Sequence, residues 1–385
     1  MVRICREAQC VVVGGGLAGV RAALAAGRRL SHVVLVCKGR LFGSGSSFAN
    51  INGGWGLTYG GTDVEREALY LAIAVLSQGT NIPALSRVLV EESERAVQDL
   101  LAYGARFRTD GNGRLLRVVP CFCTRPLALL LDNLAEIRDN LQAQLRASGV
   151  QTWERCRAVE LVADGATCRG VVVERDGEYI RLLAPSVILA TGGNAASWPR
   201  TIVSPDLTGD GYRLALEAGV GLINTEYTQW VWEDVAFHRY RFPVHALWSG
   251  RWRFRAPDGS EIDVCGLEEN LVRQRRLHVP ISNLQKDRQV DERFLRALAD
   301  IQDGVIDVID PATDRLVYRI CPHAQASNGG IPIDEHGRTS LTGLFAAGEV
   351  AAGMHGGDRV GGTMITNCLV FGRRAGMAAA RSVCS

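Results

Sequence analysis

Gly14, Gly16 and Gly19 stand in the spacing Gly-x-Gly-x-x-Gly within Cys10-Val-Val-Val-Gly14-Gly-Gly16-Leu-Ala-Gly19. The chemistry that such a spacing serves is the holding of a pyrophosphate. The first glycine permits a tight turn, the second lets backbone approach the phosphates, and the third lets a helix lie close to a strand. The elements needed to position them flank the motif. Cys10 to Val13 is a β-branched run that reads as a buried parallel strand, and Leu17 to Ala26 carries strong helix formers. A helix that starts there presents free N–H groups and a partial positive charge to an anion. The stretch predicts a bound dinucleotide.

Further elements follow the same rhythm. His32 to Cys37 reads as a second parallel strand. Its tip, Cys37-Lys38-Gly39, lacks the acidic residue that takes the adenosine ribose in NAD dehydrogenases. Gly43 to Gly54 is dense in glycine and small hydroxyl residues, suited to wrapping a cofactor with N–H and hydroxyl groups, or else a surface loop. Glu65 to Gly104 and Leu127 to Gly149 show helical spacing with solvated charged faces. Thr152 to Val162, Cys168 to Arg175 and Tyr179 to Leu183 read as strands, with an Asp176-Gly177 hairpin turn between the last two. Val187 to Ala190 is another buried strand running into Thr191-Gly192-Gly193, and Thr208-Gly-Asp210-Gly211 opens a helix to Ala218.

From Trp230 onward tryptophan, arginine and histidine concentrate and the alternation of strand and helix stops; from Cys321 the glycine-rich pattern returns. The expected organisation is a discontinuous domain of residues 1–229 and 316–385, with a smaller unit, 230–315, inserted in it. Trp230, Trp232, Trp248 and Trp252 either form the core of that insert or enclose a bulky apolar substrate.

With 385 residues, 47% hydrophobic and 22% charged, the chain can bury a large core. A net charge of +2 gives no basis for a nucleic-acid partner or an acidic membrane surface. The eleven cysteines are scattered, and the closest pair, Cys121 and Cys123, lacks the Cys-x-x-Cys spacing of redox or zinc sites. They read as reduced, mostly buried thiols of a cytoplasmic protein without a metal site. No cleavable leader opens the chain and no apolar run reaches the roughly 20 residues of a membrane span, so a soluble protein is expected.

Four separated pieces resemble the FAD-binding flavoproteins that include succinate dehydrogenase and fumarate reductase flavoprotein subunits and L-aspartate oxidase. They are the glycine fingerprint, Ala190-Thr191-Gly192-Gly193, Thr208-Gly-Asp210-Gly211, and Gly343 to Gly376 with Ala346-Ala-Gly-Glu349 inside it. In that family the tip of the second strand often reads Ser-Lys, so Cys37-Lys38 fits. The resemblance implies an α/β fold: a discontinuous Rossmann-type FAD-binding domain with an inserted smaller α+β capping domain. It implies FAD held by Gly14, Gly16, Leu17, Ala18, Gly19, Lys38, Ser46, Ser47, Gly53, Gly54, Ala158, Ala190, Thr191, Gly192, Asp210, Glu349, Thr363, Met364 and Ile365. Covalent relatives carry a histidine near Ser47; none is present here, so FAD is expected to be non-covalent.

The activity implied is hydride transfer between flavin N5 and a carbon beside a carboxylate. The alternatives are amino-acid or amine oxidation of the L-aspartate oxidase type, and an FAD-bearing electron-transfer protein completed by a partner protein. The electron acceptor would be a partner protein or a quinone. His355 and Arg359 match the family's His-x-x-x-Arg substrate positions, and the planar fork of arginine suits a carboxylate. The other roles open to them are a helix cap for His355 and an ion pair with Asp358 or Glu349 for Arg359. Where members read Gln-Phe-His-Pro, this chain has Gln229-Trp230-Val231-Trp232, and the Arg-Gly-Glu-Gly-Gly stretch is not found. Arg251 and Arg253 lie in the nearest comparable region, and Arg251 is the candidate for proton delivery; an exposed surface role is the other reading. His323, shortly before Gly329-Gly330, is a candidate substrate contact or a structural hydrogen-bonding group. The insert also reads as shorter than usual, and the helical C-terminal domain of larger relatives is not expected.

Overall fold

The structure, a computed structural model, describes residues 4–48, 55–236, 247, 251–264, 266–299 and 303–384. At its centre is a five-stranded parallel sheet in the order Leu344–Ala346, Val187–Leu189, Cys10–Val13, Val33–Val36, Gln151–Trp153. The three middle strands are buried throughout, which is why they read as unbroken apolar runs: a parallel sheet has no solvent face. Residues 344–346 and 10–13 belong to one sheet, so distant parts of the chain build it together.

The helix Leu17–Gly27 follows the first fingerprint strand and packs along the last helix, Thr363–Cys384. Small residues make that approach close. A Cβ at Gly372 would lie 2.6 Å from Ala18 O, and one at Gly376 would lie 2.2 Å from Ala22 O. Beside them, Asp63–Ser77, Pro83–Glu91 and Ser93–Ala102 supply the helical cover expected over Glu65 to Gly104. The first opens on a capping box between Thr62 and Glu65, the second on a proline.

Leu127 to Gly149 differs from its expectation. Ala128–Leu130 is a strand between Gly56–Thr58 and Arg117–Val118, and the helix begins only at Leu134. Pro126 leaves the chain extended, and the apolar run after it is buried as a strand. A separate four-stranded sheet joins Ile4–Glu7, Glu178–Leu183, Thr167–Arg175 and Arg157–Asp164. Its hairpin turns at Asp176 and Gly177, both at positive φ (52° and 81°), as a two-residue turn of this kind requires.

Residues 228–327 contribute a five-stranded sheet in the order Arg253–Arg255, Ile306–Asp310, Arg315–Ser327, Thr228–Asp234, Pro280–Ile281, every pairing antiparallel. The helices Glu269–Arg275 and Arg288–Leu298 accompany it. It has a hydrophobic core of its own, around Trp232, Phe254, Val290, Phe294, Val308 and Ile320. Trp230 and Trp252 pack against that core, and Trp248 lies outside the described residues. The strand Arg315–Ser327 runs from this sheet back toward the parallel one. Ten of the cysteines are described; all are free, and seven are buried. Among the described residues no helix is long and apolar enough to cross a membrane, and no cluster is arranged to hold a metal ion.

Candidate functional site

The carboxyl ends of the parallel strands open onto a cleft with about 1090 Å³ of atom-free space, its mouth included. Ligands of open α/β sheets bind at such strand ends. Each fingerprint glycine has a distinct reason to lack a side chain. Gly14 has φ +120°, and a Cβ there would lie 2.1 Å from Ala190 O. A Cβ on Gly19 would lie 1.8 Å from Gly14 O, so this glycine lets the helix sit on the strand. At Gly16 the nearest atom would be Ser47 Oγ at 3.5 Å, so its Cα faces the open cleft. Gly16 is also the N-cap of Leu17–Gly27, with no capping side chain and no acidic residue in the first turn. Leu17 N donates to Ser47 Oγ (3.2 Å), and the positive end of the helix is directed at the cleft.

Of the expected cofactor contacts, Gly14, Gly16, Leu17, Ala18, Lys38, Ser46, Ser47, Ala158, Ala190, Thr191, Gly192, Asp210, Glu349, Met364 and Ile365 line this cleft. Gly53 and Gly54 lie outside the described residues. Gly19 lies beneath the cleft lining, and Thr363 is buried at the helix start with its hydroxyl donating to Val360 O. Gly15, Cys37, Ser44, Gly45 and Cys368 also line the cleft, each inside a stretch the sequence marks for the cofactor, whereas Arg157, Asp206 and Leu207 escaped the sequence reading. Asp206 and Leu207 directly precede the Thr208-Gly-Asp210-Gly211 motif. Arg157 carries no sequence signal, because it opens a strand whose alternation reads as an exposed face.

One end of the cleft is closed by ion pairs. Lys38 Nζ donates to Asp210 Oδ2 (2.8 Å), Asp206 O (2.9 Å) and Thr208 Oγ1 (3.1 Å), and Arg157 Nη2 donates to Asp210 Oδ1 (2.9 Å). Burial pushes the Asp210 carboxyl up, but the hydrogen bonds from Lys38 and Arg157 outweigh it and hold the group below its ordinary value. Also in the cleft wall, Glu349 accepts from Ser327 N (2.9 Å), and burial raises its carboxyl above the usual range. A Cβ on Gly193 would lie 2.3 Å from Glu349 Oε1, so the Ala190–Gly193 turn gives this carboxyl its space.

An elongated, doubly phosphorylated cofactor fits these residues. A helix N-terminus whose N-cap, Gly16, has no side chain faces the cleft, and a Cβ at Gly16 would project into it. The Ser46 and Thr191 hydroxyl oxygens are buried in its wall without a hydrogen-bond partner among the described residues.

His355 and Arg359 are both buried, at 2% and 8% exposure. Neither ring nitrogen of His355 has a hydrogen-bond partner among the described residues. Burial, and after it the charge of Arg359, lowers the His355 imidazole well below its ordinary value of 6.5, so it is neutral at neutral pH. The cationic charge of the pair therefore belongs to Arg359, whose Nη2 donates to Gln229 Oε1 (2.7 Å). The field of Arg359 also lowers Glu349 and Cys121, against the burial that raises both. Asp358 does not serve Arg359; its two oxygens accept Asn283 N and Leu284 N.

The other two candidates, His323 and Arg251, are not among the residues that line the cleft. His323 is buried in the strand Arg315–Ser327, with Nδ1 3.1 Å from Cys321 O. Arg251 is exposed, its guanidinium 5.4 Å from the Trp252 ring centroid, and Arg253 pairs with Glu261 and Asp314.

A family model described as "FAD binding domain" matches residues 9–251 and 268–365. A fumarate reductase (CoM/CoB) subunit of Methanothermobacter marburgensis is 27% identical, over 98% of this chain and 73% of its own length. An L-aspartate oxidase from Caulobacter vibrioides is 30% identical, over 96% of this chain and 76% of its own. Sdh1 of Mycobacterium smegmatis, solved in complex with UQ1, superposes with a TM-score of 0.78 at 24% identity, covering 100% of this chain and 70% of that one. The chain belongs to the family of FAD-dependent oxidoreductases that contains the fumarate reductase and succinate dehydrogenase flavoproteins and the L-aspartate oxidases.

Proposed function

We propose that the chain catalyses hydride transfer between FAD and a carbon of a small carboxylate-bearing substrate, anchored by Arg359 with His355 beside it. The observation that carries this reading is the buried pair itself: a permanent guanidinium next to a neutral imidazole whose two nitrogens have no protein partner among the described residues. Bound FAD supplies the two-electron chemistry. The N-terminus of Leu17–Gly27, with Gly14 and Gly16, holds the pyrophosphate. Lys38 and Asp210 border the adenosine, and Glu349 accepts hydrogen bonds from the ribose or ribityl hydroxyls. The start of Thr363–Cys384, with Met364 and Ile365 in the cleft wall, favours negative charge at the reactive ring. Arg359 grips one substrate carboxylate through two parallel hydrogen bonds and thereby fixes which carbon faces the ring. His355, being neutral, orients the substrate by donating one hydrogen bond and accepting another. Burial of both side chains excludes water from the contact.

Absence of a histidine in residues 43–54 supports non-covalent attachment. The ten free cysteines support a cytoplasmic setting. The names of the relatives support a small di- or amino-carboxylate, with fumarate or succinate as the first reading. A second reading, oxidation of an L-amino acid, is favoured by the higher identity to L-aspartate oxidase. Neighbours solved with a quinone or a quinol support a quinone, or a partner protein that leads to one, as electron acceptor.

Anaerobic flavin absorbance decides between the readings. Dithionite-reduced protein reoxidised by fumarate supports the first. Bleaching by an L-amino acid, with peroxide formed on admitting oxygen, supports the second. A bound flavin whose redox state responds to no carboxylate of either class would overturn both.

A further inference from the structure

Arg359 does not hold its position by itself. Its Nη2 donates to Gln229 Oε1 at 2.7 Å, with Gln229 4% exposed. Gln229 belongs to the antiparallel unit, in the strand Thr228–Asp234, at the register shift between Gln229 and Trp230. A bulge of this kind re-aims a side chain at the edge of a site. The residue before Arg359 is held by the same unit through a different segment. Asp358, 3% exposed, accepts from Asn283 N (2.7 Å) and Leu284 N (2.8 Å). Asn283 closes the ring, because its side-chain nitrogen donates to Gly357 O (2.9 Å) and to Thr228 O (3.2 Å). The approach leaves no room at Gly357, where a Cβ would lie 2.8 Å from Leu284 Cδ1.

We propose that Gln229 and Asp358 are positioning residues that tie the carboxylate-gripping geometry of Arg359 to the docked position of the antiparallel unit, through the closed ring Thr228–Gln229, Gly357–Asp358–Arg359 and Asn283–Leu284. Gln229 is chemically suited to this. Its neutral amide oxygen orients one limb of the guanidinium without neutralising the charge that an anionic substrate needs. Asp358 is equally suited, since its two oxygens accept backbone N–H groups of the antiparallel unit, at Asn283 and Leu284. When the antiparallel unit shifts away, Asn283 and Leu284 release Asp358, Gln229 withdraws from Arg359, and the grip is lost.

This inference rests on the anchoring role proposed for Arg359, and the test separates the two. FAD-loaded protein is titrated with malonate, a small dicarboxylate, followed by flavin absorbance, and amide hydrogen exchange of segments 228–234, 282–284 and 357–359 is followed by mass spectrometry. Gln229→Ala and Asp358→Asn are expected to keep FAD while weakening malonate on the order of ten-fold or more. Asp358→Asn is expected to speed exchange in all three segments together. Gln229→Glu keeps the hydrogen bond but sets a carboxylate on the guanidinium. It is expected to leave exchange at the wild-type rate and still weaken malonate, which a purely structural role for Gln229 would not do. If Arg359→Ala leaves malonate affinity unchanged, the anchoring role fails and this inference with it. If Arg359→Ala abolishes the response while Gln229→Ala and Asp358→Asn bind malonate as the wild type does, only the positioning role fails. Should malonate not perturb the flavin at all, exchange decides: coupled acceleration of the three segments in Asp358→Asn supports the ring, and unchanged or uncoupled exchange overturns it.

Discussion

Arg359 is a cation that cannot discharge itself, buried to 8% exposure. Gln229, which accepts a hydrogen bond from one limb of it, carries no charge and so does not itself neutralise the guanidinium. Removing the side chain as Arg359→Ala is expected to cost carboxylate binding on the order of 3–5 kcal/mol while leaving FAD in place. Arg359→Lys is expected to fall between, because an ammonium cannot make two parallel bonds. Steady-state kinetics and ligand titration of the variants check both, and unchanged values would remove the assignment. His355 gives a pH signature. Burial first, and the Arg359 charge second, keep its folded value below the ordinary 6.5. The unfolded chain therefore takes up a proton that the folded one refuses, and stability falls as pH drops below that ordinary value. Urea unfolding of wild type and His355→Asn should differ in slope there by up to about 1.4 kcal/mol per pH unit. Equal slopes would mean that the imidazole is not held neutral. The sequence singled out the pair by its resemblance to a family pattern, and the structure buries both residues. That His355 is uncharged was not legible there, because its neutrality comes from burial under parts of the chain far away in sequence.

At the scale of elements, strand and helix meet at the fingerprint, and two of its glycines make opposite predictions. A Cβ on Gly19 would collide with Gly14 O, whereas one on Gly16 meets only cleft. Gly19→Ala is expected to lose on the order of 1–3 kcal/mol of stability even without cofactor. Gly16→Ala is expected to melt like the wild-type apoprotein but bind FAD more weakly. Thermal unfolding and flavin titration of the two variants separate packing from ligand approach; reversed behaviour would contradict the assignment of roles. Elements with a strong local signal were readable in advance. Cys10–Val13, Val33–Val36 and Val187–Leu189 are buried on both faces, and the Asp176-Gly177 turn has the residue types its dihedrals require. The strand Ala128–Leu130 was not readable, because a short apolar run gains strand character only from its partners at Gly56–Thr58 and Arg117–Val118. Arg157 was missed for the same kind of reason: its link to Asp210 crosses 53 positions.

The whole molecule is organised by closure of distant segments. Residues 13–47, 156–158, 190–214 and 347–368 supply one cleft, so a ligand there binds only the folded chain. FAD at about 100 times its dissociation constant is then expected to stabilise the protein by roughly 2.7 kcal/mol, seen as a rise in melting temperature with FAD concentration. FMN, lacking the adenosine half, is expected to do much less. The antiparallel unit has its own core, yet it also hydrogen-bonds Arg359 and Asp358 through Gln229 and Asn283. The charges divide in the same way: Lys38 and Arg157 are ion-paired with Asp210 in the cleft wall, and Arg359 is a buried cation that contacts the antiparallel unit.

The most direct measurement is a titration of the purified, flavin-free chain with FAD, followed by denaturing filtration. The structure predicts saturation at one FAD per chain, a yellow protein, and complete release of unmodified FAD on denaturation. A chain that stays colourless at saturating FAD, or one whose flavin survives denaturation attached to protein, would contradict it.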